Sequence, residues 1–191
     1  MIRLSDWKAI ALAFLVYFIS VLAGVGLNLL VDHHGNMFFA PAFAALLAGG
    51  MYFILMDTVP RFGAISMLGL LMSLFFMRSG HAGYAFLPSL LAPLVADLIA
   101  YWGSYKDKIK TSLSYLVFSL ATTGPIMFMW LTPSDYKEAL LARGKNMAYI
   151  DRVMVPQELK YYLLFYGPII VCALIGIFLG RKVAKEWVKR K

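Results

Sequence analysis

The chain has 191 residues, 61% of them apolar and 15% aromatic, and its 18 Lys and Arg against 10 Asp and Glu leave a net charge of +8. So few charged groups cannot solvate a folded surface of this size, so the solvent is lipid, in line with a mean hydropathy of +0.74. The excess positive charge then speaks of membrane orientation and anionic lipid, and excludes any argument for nucleic acid.

Met1 to Lys8 is a short polar start, followed by an unbroken apolar run at about 9–31. Its core is too long for a signal peptide, so the reading is a retained helix. A second span at about 38–56 carries Ala40, Ala44 and Ala48 at four-residue spacing, a stripe that lets helices approach closely. A turn through Pro60 and Arg61 leads to a short third span at about 62–77. The stretch Arg78 to Tyr84 marks the midpoint of the chain, and a fourth span at about 85–102 repeats the stripe with Ala92, Ala96 and Ala100. The fifth is expected at about 112–131. Thr132-Pro133-Ser134-Asp135 then starts a short surface helix that runs through Arg143 and closes at Gly144. Pro156 and Glu158 open a sixth span, which carries Cys172, Gly176 and Gly180 at the same spacing and ends in a basic tail expected to anchor at the anionic leaflet. A single cysteine allows no disulfide framework, and Cys172 reads as a packing residue.

The expected architecture is thus all-α, one membrane domain over residues 1–191 with six transmembrane helices. Twelve of the 18 Lys and Arg fall on one set of alternating loops, from Arg3 and Lys8 through Arg61 and Lys106, Lys108 and Lys110 to the tail after Gly180. The positive-inside rule makes that set, and both termini, cytoplasmic, and all four tryptophans fall near expected span ends, where an indole prefers the interface. The protein is expected in the cell membrane, crossing it several times.

This topology gathers the loops at 32–37, 78–84 and 132–160 on the outer face. There a ligand would meet His33, His34, Asn36, Arg78, His81 and Tyr84, with Trp130, Tyr162 and Tyr166 as stacking surfaces. Arg78 and His81 suit an anionic group on that ligand. Loop histidines and interfacial tyrosines also occur where nothing binds, so no metal ligation is assigned to them. Asp97, the one charge in the interior of an expected span, is read as pairing with a helix end, a loop lysine or a partner protein, with an ion relay as the lesser reading because no second acid lies in a span interior.

In the first helix Ala9 and Ala13 share one face near the cytoplasmic side. Six spans, both ends inside and this alanine pair resemble the substrate-capture (S) component of an energy-coupling factor (ECF) importer. The stretch from Val59-Pro-Arg-Phe-Gly63 through Gly69, Gly80-His81, Ala96-Asp97-Leu98 and Ser119 to Gly124-Pro125 is similar to the Trep_Strep family of integral membrane proteins, expected S components. The resemblance implies a six-helix S-component bundle that binds a vitamin-like molecule or a metal chelate such as haem at the outer face. It also implies delivery through a complex with a transmembrane coupling subunit, which Ala9 and Ala13 would contact, and two ABC ATPases. It brings no cofactor. Metal-ion S components use an extended N-terminal segment as ligand, and the short start before Lys8 speaks against that subtype.

The rival readings are a small channel, a structural membrane partner, or an intramembrane metalloprotease. The last needs glutamates and histidines within helices to hold metal and activate water. Apart from Glu158 at the opening of the sixth, no expected span carries a glutamate, and all three histidines lie in loops, so the chain is not expected to be an enzyme. It also has no G-x-x-x-x-G-K-[ST] phosphate loop of its own.

Overall fold

A computed structural model describes residues 2–33, 35–79 and 83–190. The described residues are helical with no strand. The helices are α1 (Asp6–Val31), α2 (Ala40–Leu47), α3 (Gly49–Thr58), α4 (Ala64–Arg78), α5 (Leu87–Trp102), α6 (Lys108–Phe118), α7 (Gly124–Leu131), α8 (Pro133–Ala142), α9 (Met147–Val153) and α10 (Leu159–Lys189). A single 3-10 turn, Gly83–Phe86, precedes α5.

Helices α1 and α10, and α5 with its preceding turn, are long and apolar enough to cross a membrane, and α2 with α3 makes a fourth candidate if its 45° bend is counted within one span. The structure therefore shows three or four such elements where the sequence led us to expect six. At 1.5 Å per residue the 15 residues of α4 reach only about 22 Å, short of the roughly 30 Å hydrocarbon core. The expected fifth span is two helices, α6 and α7, joined by a turn. Pro125 is the physical reason: it has no N–H to give to the Ala121 carbonyl one turn earlier, and that oxygen instead accepts from the Ser89 hydroxyl of α5 at 2.5 Å. The bend between α2 and α3 falls beside Gly49 and Gly50, a pair that weakens a helix locally.

Small residues set how closely the helices approach. A Cβ on Gly49 would lie 2.1 Å from the Gly176 carbonyl oxygen, and one on Gly180 would lie 2.4 Å from the Gly49 carbonyl carbon, so α3 and α10 meet backbone to backbone. The alanine stripe of α2 packs in the same way against Gly24 of α1. Between these contacts sits an aromatic core in which Tyr17, Tyr52, Phe53, Tyr115 and Phe118 touch one another. Two of its three tyrosine hydroxyls find partners within the bundle, as groups away from water require. Ser114 donates to the Ala96 carbonyl, so the 2.6 Å contact between the Tyr52 and Ser114 hydroxyls has tyrosine as donor, and Tyr115 donates to the Ala45 carbonyl.

Two charged or amide side chains buried in the bundle act as caps for other helices. Asp97, fully buried on α5, accepts from the Gly63 and Ser66 amides and the Ser66 hydroxyl at the start of α4, and from the Tyr105 hydroxyl. Of the pairings weighed for Asp97, the one with a helix end is the one formed. Burial and this carboxylate raise the Tyr105 pKa, which keeps the phenol a donor. Asn28 of α1 accepts from the Phe39 amide at 2.7 Å, at the entry to α2. Replacing Asn28 with leucine strands that amide in an apolar setting. The expected loss is about 1–3 kcal/mol of stability, read as an earlier thermal transition in detergent; a transition unchanged from the parent would remove the cap from this account.

One end of the bundle is basic and tied together by long-range contacts. Asp6 pairs with Arg61, and Arg181 of α10 donates to the Lys108 carbonyl, Thr111 and Ser112 at the start of α6 while its guanidinium lies 4.5 Å from the Phe53 ring. Helix α10 runs on past Gly180, the end expected from sequence, so the basic tail is helical to Lys189.

Candidate functional site

The opposite end of the bundle is roofed by α8 and α9. Helix α8 begins at Pro133, whose fixed φ suits a first turn, and ends before Gly144 at φ 74°, much as its sequence announces. Helix α9 was hidden within a segment read only as a long loop. Its signal was Asn146, whose side chain accepts from the Tyr149 amide at 2.9 Å and caps the helix. The two helices share a small core of their own, Leu140, Ile150 and Val153. They are tied to the first outer loop by two hydrogen bonds, Asn36 to the Val153 carbonyl at 3.2 Å and Tyr149 to the Gly35 carbonyl at 3.3 Å.

Beneath this roof lies a cavity of about 330 Å³. Its walls are Phe18, Val21, Leu22 and Val25 of α1, Phe75 and Phe76 of α4, Pro41, Thr122, Pro125 and Ile126, and its roof supplies Tyr136, Leu140, Arg143 and Tyr149. Tyr136 and Leu140 of α8 and Arg143, the residue that caps its end, stand at i, i+4 and i+7, a helical spacing the sequence displays once α8 is recognised. Burial raises the Tyr136 pKa, and the neighbouring Arg143 pulls it back down. The Tyr136 hydroxyl bonds to no other described residue, whereas Asn36 and Tyr149 spend polar atoms on the roof contacts above.

The residues expected to bind ligand are dispersed by the fold. Among the described residues, Asn36 alone of that set lines the roofed cavity. Arg78 is exposed at the last residue of α4, and His33 is exposed beside the end of α1. Tyr84 and Tyr166 line a separate groove of about 390 Å³ between α5, α7 and α10, whose wall is nearly all apolar. Trp130, expected at the interface, is buried: its indole donates to the Val155 carbonyl at 3.1 Å and its ring packs on Phe38, Tyr162 and Phe165. It holds the α9–α10 linker to α7, and the Tyr162 ring lies tilted against it at 4.5 Å. The other tryptophans, Trp7, Trp102 and Trp187, are exposed. His34, Gly80 and His81 lie outside the described residues.

At the basic end Ala13 belongs to the bundle core and Ala9 is half-buried against it, so the pair expected to meet a coupling subunit packs mainly inside the chain. Ordinary helix packing is the reason, since small residues let α1 sit close to its neighbours.

Comparison with known families matches residues 4–190 to one described as "Hypothetical bacterial integral membrane protein (Trep_Strep)". The chain belongs to the Trep_Strep family. No curated protein and no solved structure matches it. As a Trep_Strep protein with several apolar helices it is an integral, multi-pass membrane protein. The Ser89–Ala121 bond, the Asp97 cap and the roofed cavity all fall within the matched residues.

Proposed function

We propose that this Trep_Strep protein is the substrate-capture component of an ECF importer in the cell membrane. It takes a small molecule into the roofed cavity at the outer end and passes it inward through a complex with a coupling subunit and two ATPases. The observation that carries this reading is the cavity itself: a partly apolar chamber with a few polar groups, closed by two short helices, at the end opposite the basic one. In this reading the chain makes six passes, with α2–α3 and α6–α7 as broken spans and α4 as a short one, and broken helices are tolerated where the bundle satisfies their backbone. The basic end, with both termini, is cytoplasmic, as the distribution of Lys and Arg supports. Ala9, the more exposed of the alanine pair, would be the member within a coupling subunit's reach.

Affinity purification of the tagged full chain from its native membrane tests this. The expected result is recovery with one further polytopic subunit and two nucleotide-binding ATPases, and stimulation of ATP hydrolysis in the reconstituted complex. A chain that purifies alone, and that supports ion flux by itself in liposomes, would instead be a small channel; one that purifies alone without flux would be a structural membrane protein.

A further inference from the structure

We infer that the roofed cavity takes a compact organic anion, one apolar ring system bearing a carboxylate, held by Tyr136 of α8 and by Arg143 at the end of that helix. The inference rests on the capture reading for its biological setting, and on the cavity's chemistry for its content. The wall supplies the first half of the ligand's description. Phe18, Phe75, Phe76 and Ile126 present apolar surface, and 330 Å³ lies near the lower end of the range for small-molecule sites, so the occupant is small and mostly apolar.

The roof supplies the second half. Arg143, an exposed residue at the rim, is the one charged side chain among the described lining residues, and a guanidinium carries five N–H donors, enough to meet a carboxylate beside another contact. Beside it the Tyr136 hydroxyl has no partner among the described residues, and it is kept protonated by its raised pKa, so it is an available donor. Two more cations stand behind them, because Lys145 and Arg152 lie 4.8 and 5.3 Å from the Tyr149 ring that closes the same wall. The roof's acids, Asp135, Glu138 and Asp151, do not line the cavity. A cationic or metal-ion occupant would face this positive field with no described carboxylate, histidine or thiol to meet it.

The test uses the purified full chain in detergent and three probes of one shape: 1-naphthoate, its neutral amide, and 1-naphthylmethylamine. Haemin and Zn²⁺ serve as probes of the other classes, and binding is read by calorimetry and by thermal stabilisation. Naphthoate is expected to bind, with the amide and amine weaker by about tenfold or more. Arg143→Gln should weaken naphthoate by a similar factor and Tyr136→Phe by less, while Arg78→Gln, at an exposed arginine outside the cavity, leaves it unchanged. Tyr136→Phe keeps the ring and Arg143→Gln changes an exposed side chain, and equal melting transitions without probe confirm that both variants fold. Equal binding of the three naphthyl probes, naphthoate binding insensitive to Arg143→Gln, or binding of haemin or Zn²⁺ alone would each overturn the inference. The capture reading fails separately, through the absence of the coupling partners: anion binding without partners leaves this inference standing, and partners with only haemin or Zn²⁺ bound leave the capture reading standing.

Discussion

Gly49→Leu is expected to prevent stable packing of α3 on α10 and to cause a large loss of folded protein. The Cβ alone would sit 2.1 Å from the Gly176 oxygen, and the obstacle is backbone, which cannot rotate aside as a side chain can. Overpacking by a methylene or two costs about 1–3 kcal/mol where neighbours are side chains, so Gly49→Ala belongs at the top of that range and leucine beyond it. The control is Gly26→Ala on α1, where an added Cβ meets nothing within 4 Å and helix propensity predicts a gain of about 0.5–1 kcal/mol. Size-exclusion recovery and melting in detergent report both. If Gly49→Ala melts with the parent, α3 and α10 are not held at the separation described, and the small-residue stripe on α10 loses its meaning.

Asp97→Ala is expected to cost about 3 kcal/mol or more. The substitution leaves the Gly63 and Ser66 amides and two hydroxyls without their shared acceptor at a fully buried site, and hydrogen bonds to a charged group are each worth about 1.5–3 kcal/mol. Helix α4 also loses a negative charge at its N-terminus, where the dipole favours one. Asp97→Asn keeps one acceptor oxygen for the α4 amides and turns an N–H₂ toward Tyr105, whose oxygen can accept, so it should lie between the parent and alanine. That order, with the loss appearing in melting of the isolated protein, identifies a structural cap. An Asp97→Asn variant as stable as the parent, yet unable to support proton- or cation-dependent flux, would establish the ion relay instead.

Both expectations turn on contacts between helices, and they show which parts of the molecule can be read one residue at a time. The stripe Gly176 and Gly180 was legible because four-residue spacing puts small side chains on one helical face whatever lies opposite. Helix α8 was legible because its proline start and glycine stop are local rules. The roofed cavity was not, although its components were in view: Tyr136, Leu140 and Arg143 have a helical period, but only the fold brings them over Phe18 of α1 and Phe75 of α4. Reasoning from loops favoured Arg78 and Tyr84 because polar residues between spans face the same side of a membrane. Sharing a side is weaker than sharing a site, and these two residues line no part of the cavity.

By itself the sequence determined that this protein lives in lipid, that its Lys and Arg concentrate on alternating segments, and where small residues would allow helices to touch. These follow from composition and from periods of three to four residues, which involve only neighbours along the chain. Tertiary structure alone decided where the apolar runs break, what Asp97 caps, that Trp130 is buried, and which residues enclose the cavity. Each of these depends on a partner far away in the chain: Ser89 takes the carbonyl that Pro125 cannot bond, and Asp97 reaches amides 31 and 34 residues before it. In lipid no water can stand in for those partners, so the break or the buried charge is stable only where another helix supplies the missing group.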